Sequence, residues 1–93
     1  MAVIDLENIK DLLEELAFSP TKKSGEAALR KLKIIASGLR GKLSGYTVGK
    51  LEQAINHAKA ASGGVRDKEH QIQRMNDAWY VFKTDVAHLD LNT

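Results

Sequence analysis

The stretch IQRMNDAWYVFKTDVAHL, residues 72–89, decides the fold class of this 93-residue chain. Its large apolar residues recur at alternating gaps of three and four, which lines up side chains along one side of an α-helix. Three earlier segments show the same stagger, and no segment alternates as a half-buried β-strand does. The four stripes are Leu6, Ile9, Leu13 and Leu16; Leu29, Leu32, Ala36, Leu39 and Leu43; Val48, Leu51, Ile55 and Ala58; and Ile72, Met75, Trp79, Phe82, Val86 and Leu89.

The residues between these stripes predict where the helices begin and end. Ser19-Pro20 is typical of an N-cap followed by proline at the first helical position. Thr47 is a candidate cap for the third helix, and Ser62-Gly63-Gly64 is a break before the fourth. The predicted helices lie near 3–18, 20–43, 47–62 and 65–90 within one domain, residues 1–93. Because short loops favour antiparallel neighbours, the sequence predicts an all-α, small up-and-down antiparallel four-helix bundle.

The third helix is rich in alanine, and the fourth carries the large aromatic residues. Small side chains let a facing helix approach closely, so we expect Trp79 and Phe82 to fill the space opposite these alanines. The predicted second and fourth helices, about 24 and 26 residues, are longer than the other two. We therefore expect a second subunit to cover the overhang, as in a homodimer, unless the long helices kink or fray.

Composition limits the class of protein. The chain is 43% hydrophobic and 28% charged, and it has no apolar run of the roughly 18 residues that a membrane span requires. Its acidic start does not resemble a secretory signal. It contains no cysteine, so it has no disulfide framework and no thiolate chemistry. We expect a cytoplasmic protein.

The formal net charge of +2 hides a strong asymmetry along the chain. Residues 1–18 hold five acids and one lysine, a net of −4, whereas residues 19–50 hold eight bases and one acid, a net of +7. Residues 51–93 are close to neutral, at −1. A basic block of this kind attracts nucleic acid, anionic lipid or an acidic protein surface, unless the acidic first segment neutralises it.

The glycine-rich stretch 37–50 does not match a phosphate-binding loop. That loop needs G-x4-G-K-[ST] between a strand and a helix, but Gly45 and Gly49 have three residues between them and Leu51 follows Lys50. Residues 46–54, YTVGKLEQA, resemble the first helix of some helix-turn-helix regulators. That motif requires a tight turn soon afterwards, whereas the apolar spacing here continues through Ala58. The sequence leaves open whether residues 38–49 extend the second helix or form a loop.

The outer side of the second helix is the candidate binding surface. At 100° per residue, Ile34 lies almost opposite the apolar stripe, and Gly38, Gly41 and, if the helix extends that far, Gly45 share its side. An exposed isoleucine beside glycines and bordered by bases is typical of a docking groove, and the alternative is that the glycines simply end the helix. The predicted partner-binding residues are Lys23, Arg30, Lys31, Lys33, Ile34 and Arg40.

Catalysis has little support in the sequence. The pairs Asp67–His70 and Asp85–His88 have metal-ligand spacing, but they lie about five turns apart on one helix. No set of nucleophile, base and orienting residue is present, so we expect no catalytic residue, metal site or cofactor, and histidines that are solvated. The predicted function is a non-enzymatic interaction module, such as an adaptor, inhibitor, immunity or phage-type accessory protein, that binds an acidic protein surface. The alternative is nucleic-acid binding through the same basic helix.

Overall fold

The computed structural model describes residues 4–90, with side chains for residues 4–88. Val3, the predicted start of the first helix, and the side chain of Leu89 lie outside the described part. Within it the chain forms an all-α four-helix bundle without strands, which confirms the predicted fold class. The helices are α1 (Leu6–Ala17), α2 (Glu26–Leu39), α3 (Gly45–Ala61) and α4 (Lys68–Asp90), and a 3₁₀ turn, Lys23–Gly25, precedes α2.

The first helix begins where an acidic side chain caps it. The carboxylate of Asp5 accepts a hydrogen bond from the backbone N–H of Asn8 at 2.9 Å, which satisfies one of the free donors of the first turn. Ile9, Leu13 and Leu16 are buried, as their spacing predicts, and Leu6 is half-buried at the edge of the core. The acidic side chains on the opposite side of α1 are exposed to solvent.

The predicted start of the second helix is wrong by six residues, because Ser19 ends α1 instead of opening α2. Its hydroxyl is buried and donates to the carbonyl of Glu15 at 2.7 Å, and its own carbonyl accepts from the N–H of Gly63 at 2.9 Å. Thr21 and Ser24 then bond reciprocally, each backbone N–H donating to the other's hydroxyl oxygen. This pair, in the manner of a capping box, opens the 3₁₀ turn that leads into α2.

The predicted end of the second helix is also wrong, since α2 stops at Leu39 and not at residue 43. Residues 40–43 form a turn in which the N–H of Leu43 donates to the carbonyl of Leu39 at 2.9 Å. That turn winds like a helix, so Leu43 still packs against the core and continues the apolar stripe beyond the helix end. The stretch 38–49 therefore contains the end of α2, a turn and the start of α3.

The cap of α3 is Ser44, so the assignment of Thr47 to that role is wrong. The Ser44 hydroxyl accepts from the backbone N–H of Thr47 at 3.2 Å. The Thr47 side chain is buried, and its hydroxyl donates to the carboxylate of Asp85 on α4 at 3.2 Å. The third helix runs uninterrupted to Ala61, so the turn that a helix-turn-helix motif requires after residue 54 is absent.

The most extensive helix packing in the described residues joins α3 to α4. The alanines Ala54, Ala58 and Ala61 are fully buried, and Trp79 and Phe82 are buried in the same core with ring centroids 5.7 Å apart. The break at Ser62-Gly63-Gly64 is confirmed, and Gly63 takes a φ of 81° that favours glycine. The fourth helix begins at Lys68, three residues later than predicted.

The helix lengths do not support the expected overhang of α2. It has 14 residues and α1 has 12, against 17 in α3 and 23 in α4. At 1.5 Å per residue, α2 is about 21 Å long and not the roughly 36 Å that the sequence suggested. The mismatch in length therefore gives no reason for a second subunit to cover α2, whereas α4, at 23 residues against 17 in α3, is the longer helix that the sequence predicts.

Candidate functional site

The candidate surface, which we call the basic face of α2, consists of the six residues that the sequence selects. All six are exposed in the structure. Four lie within the helix, Lys23 lies in the 3₁₀ turn before it, and Arg40 is the first residue after it. The face therefore extends beyond both ends of α2. Its members are Lys23, Arg30, Lys31, Lys33, Ile34 and Arg40.

Ile34 lies in solvent, as the helical spacing predicts. Its side chain is 70% exposed, although Leu32 and Ala36 on either side of it are buried. Space is open beside it, since a Cβ placed on Gly38 or Gly41 would meet no atom within 4 Å. Neither glycine is therefore needed for packing inside the monomer. Gly45 belongs to α3, so the three glycines do not share one helix side.

An open groove of about 340 Å³ runs between α2 and α3, along one edge of the basic face. Lys33 and Arg40, two helical turns apart, line its α2 wall. Ile34 is not among the lining residues, so the groove lies to one side of the position that the sequence suggested. Its complete lining is Lys33, Ala36, Ser37, Arg40, Glu52, Ile55 and Asn56. The structure thus brings two of the six predicted residues into a concave site and leaves the other four on the convex surface.

Arg40 is the one member of the basic face that forms an ion pair within residues 4–88. Its guanidinium forms an ion pair with the carboxylate of Glu52 across the groove. No ion pair joins the other bases of the face to an acid in that part of the chain. In particular, none joins the acids of α1 to the bases of α2. The sequence left open whether α1 neutralises the basic block, and the described side chains do not do so.

Two lysines outside the predicted set cap the end of α3. The ammonium group of Lys22 donates to the carbonyls of Lys59 and Ser62, both at 3.0 Å, and that of Lys68 donates to the carbonyl of Ala61 at 3.0 Å. Carbonyls at the C-terminal end of a helix carry its partial negative charge, which a lysine side chain offsets. The ammonium group of Lys22 therefore stabilises the end of α3. The Ser-Gly-Gly break signals this helix end in the sequence, but which lysines reach it depends on tertiary structure.

His57 has a structural hydrogen bond that the sequence did not predict. Its Nδ1 donates to Oε1 of Gln71 at 2.8 Å, a tautomer assigned because Nε2 of Gln71 donates to Asp67 at 2.9 Å. The expectation of a solvated histidine is wrong for His57, which is half-buried between α3 and α4. His70 is exposed on the surface of α4. Within the described residues, no three His, Asp or Glu side chains are grouped so that they could hold a metal ion.

Among the helices of the described chain, none combines the length and the apolar character needed to cross a membrane. Comparison with known proteins adds no assignment: no family model, curated protein or solved structure matches this chain.

Proposed function

We propose that this protein is a non-enzymatic interaction module whose basic face of α2 binds an acidic surface on a protein partner. One observation carries the proposal. Ile34 is 70% exposed, Arg30 and Lys31 lie one helical turn before it, Lys33 adjoins it in sequence, and Lys23 lies in the turn that precedes α2. No acid of the described chain forms an ion pair with any of these four bases. Their charge is available to a partner.

Stability of the monomer does not explain this concentration of charge. Exposed ion pairs contribute about 0–1 kcal/mol each, and four of the five bases here form none. Like charges on neighbouring turns of one helix instead repel each other by a few tenths of a kcal/mol. An acidic partner removes that repulsion, and complementary charge accelerates the encounter. Ile34, with open space beside Gly38, supplies a small apolar contact that fixes position.

A protein that acts only by covering a partner's surface belongs among adaptors, inhibitors, immunity proteins or phage-type accessory proteins. These classes share one mechanism, in which a small rigid domain presents a fixed face to its target. A location in the cytoplasm, expected from the cysteine-free sequence, and a regulatory role are part of the same proposal. The alternative is a nucleic-acid binder that uses the same face. Against it, the exposed aromatic residues of the described chain lie at the end of α1 (Phe18), on α3 (Tyr46) and on α4 (Tyr80), so α2 offers no stacking platform.

The test compares two probes by fluorescence anisotropy: a labelled amphipathic helical peptide rich in glutamate, and a labelled DNA duplex of about 20 base pairs. We expect the peptide to bind. Arg30→Glu with Lys33→Glu should weaken this binding at least about tenfold, because like charges then face each other. The matched control, Arg66→Glu with Arg74→Glu, makes the same charge change at exposed positions outside the face and should leave binding within about twofold.

Ile34→Ser separates the two classes of partner, because it removes the apolar side chain without changing charge. We expect it to weaken peptide binding several-fold and to leave duplex binding unchanged. Tight, steeply salt-dependent binding of the duplex that survives Ile34→Ser would support the nucleic-acid alternative instead. If the double reversal and its matched control weaken peptide binding equally, the basic face of α2 is not the binding surface.

A further inference from the structure

A second charged surface of the molecule, which we call the acidic face of α1, consists of Glu7, Asp11, Glu14, Glu15 and Phe18. The spacing of these residues places them on one side of the helix, away from the buried stripe. All five are exposed, and the Phe18 ring is 58% exposed at the end of α1. In the described chain, none of the four acidic side chains forms an ion pair or a hydrogen bond.

The acidic face of α1 and the basic face of α2 are complementary in two independent ways. Their charges are opposite, and each contains one large exposed apolar side chain, Phe18 or Ile34, bordered by charged residues on neighbouring turns. Phe18, Ile34, Tyr46 and Tyr80 are the large hydrophobic residues exposed in the described chain, so each face holds one of these four. Apolar anchors within a charged rim are typical of protein interfaces.

We infer that the acidic partner of the basic face is the acidic face of α1 on a second copy of this chain. This inference rests on the proposed function, because it names the occupant of the same surface. The two faces belong to consecutive antiparallel helices that pack against each other. A two-fold axis that lies between the two copies and runs parallel to these helices places α1 of each copy over α2 of the other, so both faces are used twice in one closed dimer.

The dimensions of the two helices agree with this arrangement. The helices are 12 and 14 residues long, about 18 and 21 Å, so their lengths match within one turn. Two helix diameters give a width of about 20 Å, and hence a contact on the order of 400 Å² per copy. That area belongs to the small, transient class of interface. The dimer is therefore weak, dissociates in salt, and leaves the basic face open when the protein is dilute.

Sedimentation velocity of the full chain at about 0.3 mM tests the inference, in about 20 mM and about 500 mM NaCl. We expect the mass to rise above the 10.2 kDa monomer toward twice that value at low salt, and the association constant to fall at least about tenfold at high salt. Asp11→Lys with Glu14→Lys, and separately Arg30→Glu with Lys33→Glu, should each yield monomers. The matched control for the acid reversal is Glu69→Lys with Asp77→Lys, at exposed positions on α4, and it should associate as the wild type does.

Mixing the two reversed variants is the decisive arm. One variant carries two basic faces and the other two acidic faces, so each forms monomers alone, whereas an equimolar mixture restores both complementary contacts. We expect the mixture to associate within about threefold of the wild type. Helical circular dichroism identifies any variant that does not fold, and the salt dependence of the wild type tests the inference without any substitution.

Three outcomes would overturn the inference: a wild-type monomer at low salt, a mixture of folded variants that stays monomeric, or species heavier than a dimer. The acidic peptide probe separates this failure from failure of the proposed function. If the wild type stays monomeric but its basic face binds the peptide, the partner is another protein and the proposed function stands. If neither the peptide nor a second copy binds, both proposals fail.

Discussion

The α3–α4 hairpin and the α1–α2 hairpin use their residues in opposite ways. Between α3 and α4 the chain buries alanines on one helix and Trp79 and Phe82 on the other, in the most extensive helix contact of the fold. The other hairpin also contributes apolar residues to the core, but it exposes Phe18 and Ile34. Its outer surface separates the acids of α1 from the bases of α2, and no ion pair joins them within the described residues.

Both hairpins contribute buried residues to the core, and under the proposed function the outer surface of the α1–α2 hairpin also serves recognition. Burial of apolar area supplies most of the free energy of folding, whereas exposed charges contribute little to it. Substitutions in the α3–α4 contact should therefore change the free energy of unfolding. Charge substitutions on the outer surface of α1–α2 should change association and leave unfolding nearly unaffected.

The largest effect is expected from Trp79→Ala. The side chain is buried at the α3–α4 contact, so its loss leaves a cavity and should lower the free energy of unfolding by about 3–5 kcal/mol. That is a large part of the 5–15 kcal/mol typical of a domain, measured by urea denaturation. Tyr80→Ala, which removes the exposed neighbouring aromatic, should lower it by less than about 1 kcal/mol. Equal losses from the two variants would show that Trp79 is not a core residue.

A smaller effect is expected from filling the alanine side of the same contact. Ala58 is fully buried, so Ala58→Leu should force α3 and α4 apart and lower the free energy of unfolding by about 1–3 kcal/mol. Ala60 is exposed two residues later on the same helix, and Ala60→Leu should change it by less than about 0.5 kcal/mol. Thermal melts of the two variants measure the difference. A neutral Ala58→Leu would mean that the helices are not packed closely at this position.

The smallest effects are expected from two glycines of the α1–α2 hairpin, and they should have opposite signs. A Cβ on Gly38 would meet no atom within 4 Å, so Gly38→Ala should raise the free energy of unfolding by about 0.4–1 kcal/mol. A Cβ on Gly25 would lie 2.8 Å from the side chains of Leu16 and Ser19, so Gly25→Ala should lower it by about 1 kcal/mol. Matched urea denaturation curves give both signs, and the same sign for both would contradict the packing described here.

Apolar spacing predicted the number of helices and most of the core, because a buried stripe needs the same period wherever a helix packs. It failed at the ends of α2. Leu43 keeps the stripe although it lies in a turn, since that turn winds like a helix and directs the side chain inward. Ser19 resembles a cap in sequence, but its hydroxyl and carbonyl are used by Glu15 and Gly63. Local patterns cannot show which partner a polar group finds across the fold.

The prediction of the candidate surface was likewise correct in some respects and incomplete in others. Helical spacing alone placed Ile34 in solvent, and the structure agrees. It could not show that Lys33 and Arg40 line a groove against α3, or that Glu52 neutralises Arg40. The count of charges along the chain also included Lys22 in the basic block, although that lysine caps the end of α3. These assignments depend on contacts between residues 12 to 40 positions apart in the chain.

The sequence by itself determined the fold class, the buried stripes and the separation of charge, because each depends on residue type and on spacing along one helix. Only the tertiary structure decided where α2 ends, which bases remain unpaired, and how the groove lies beside Ile34. The physical reason is one of range. Helical periodicity is repeated locally every three or four residues, whereas a long polar side chain is oriented by the few partners that folding brings to it from elsewhere in the chain.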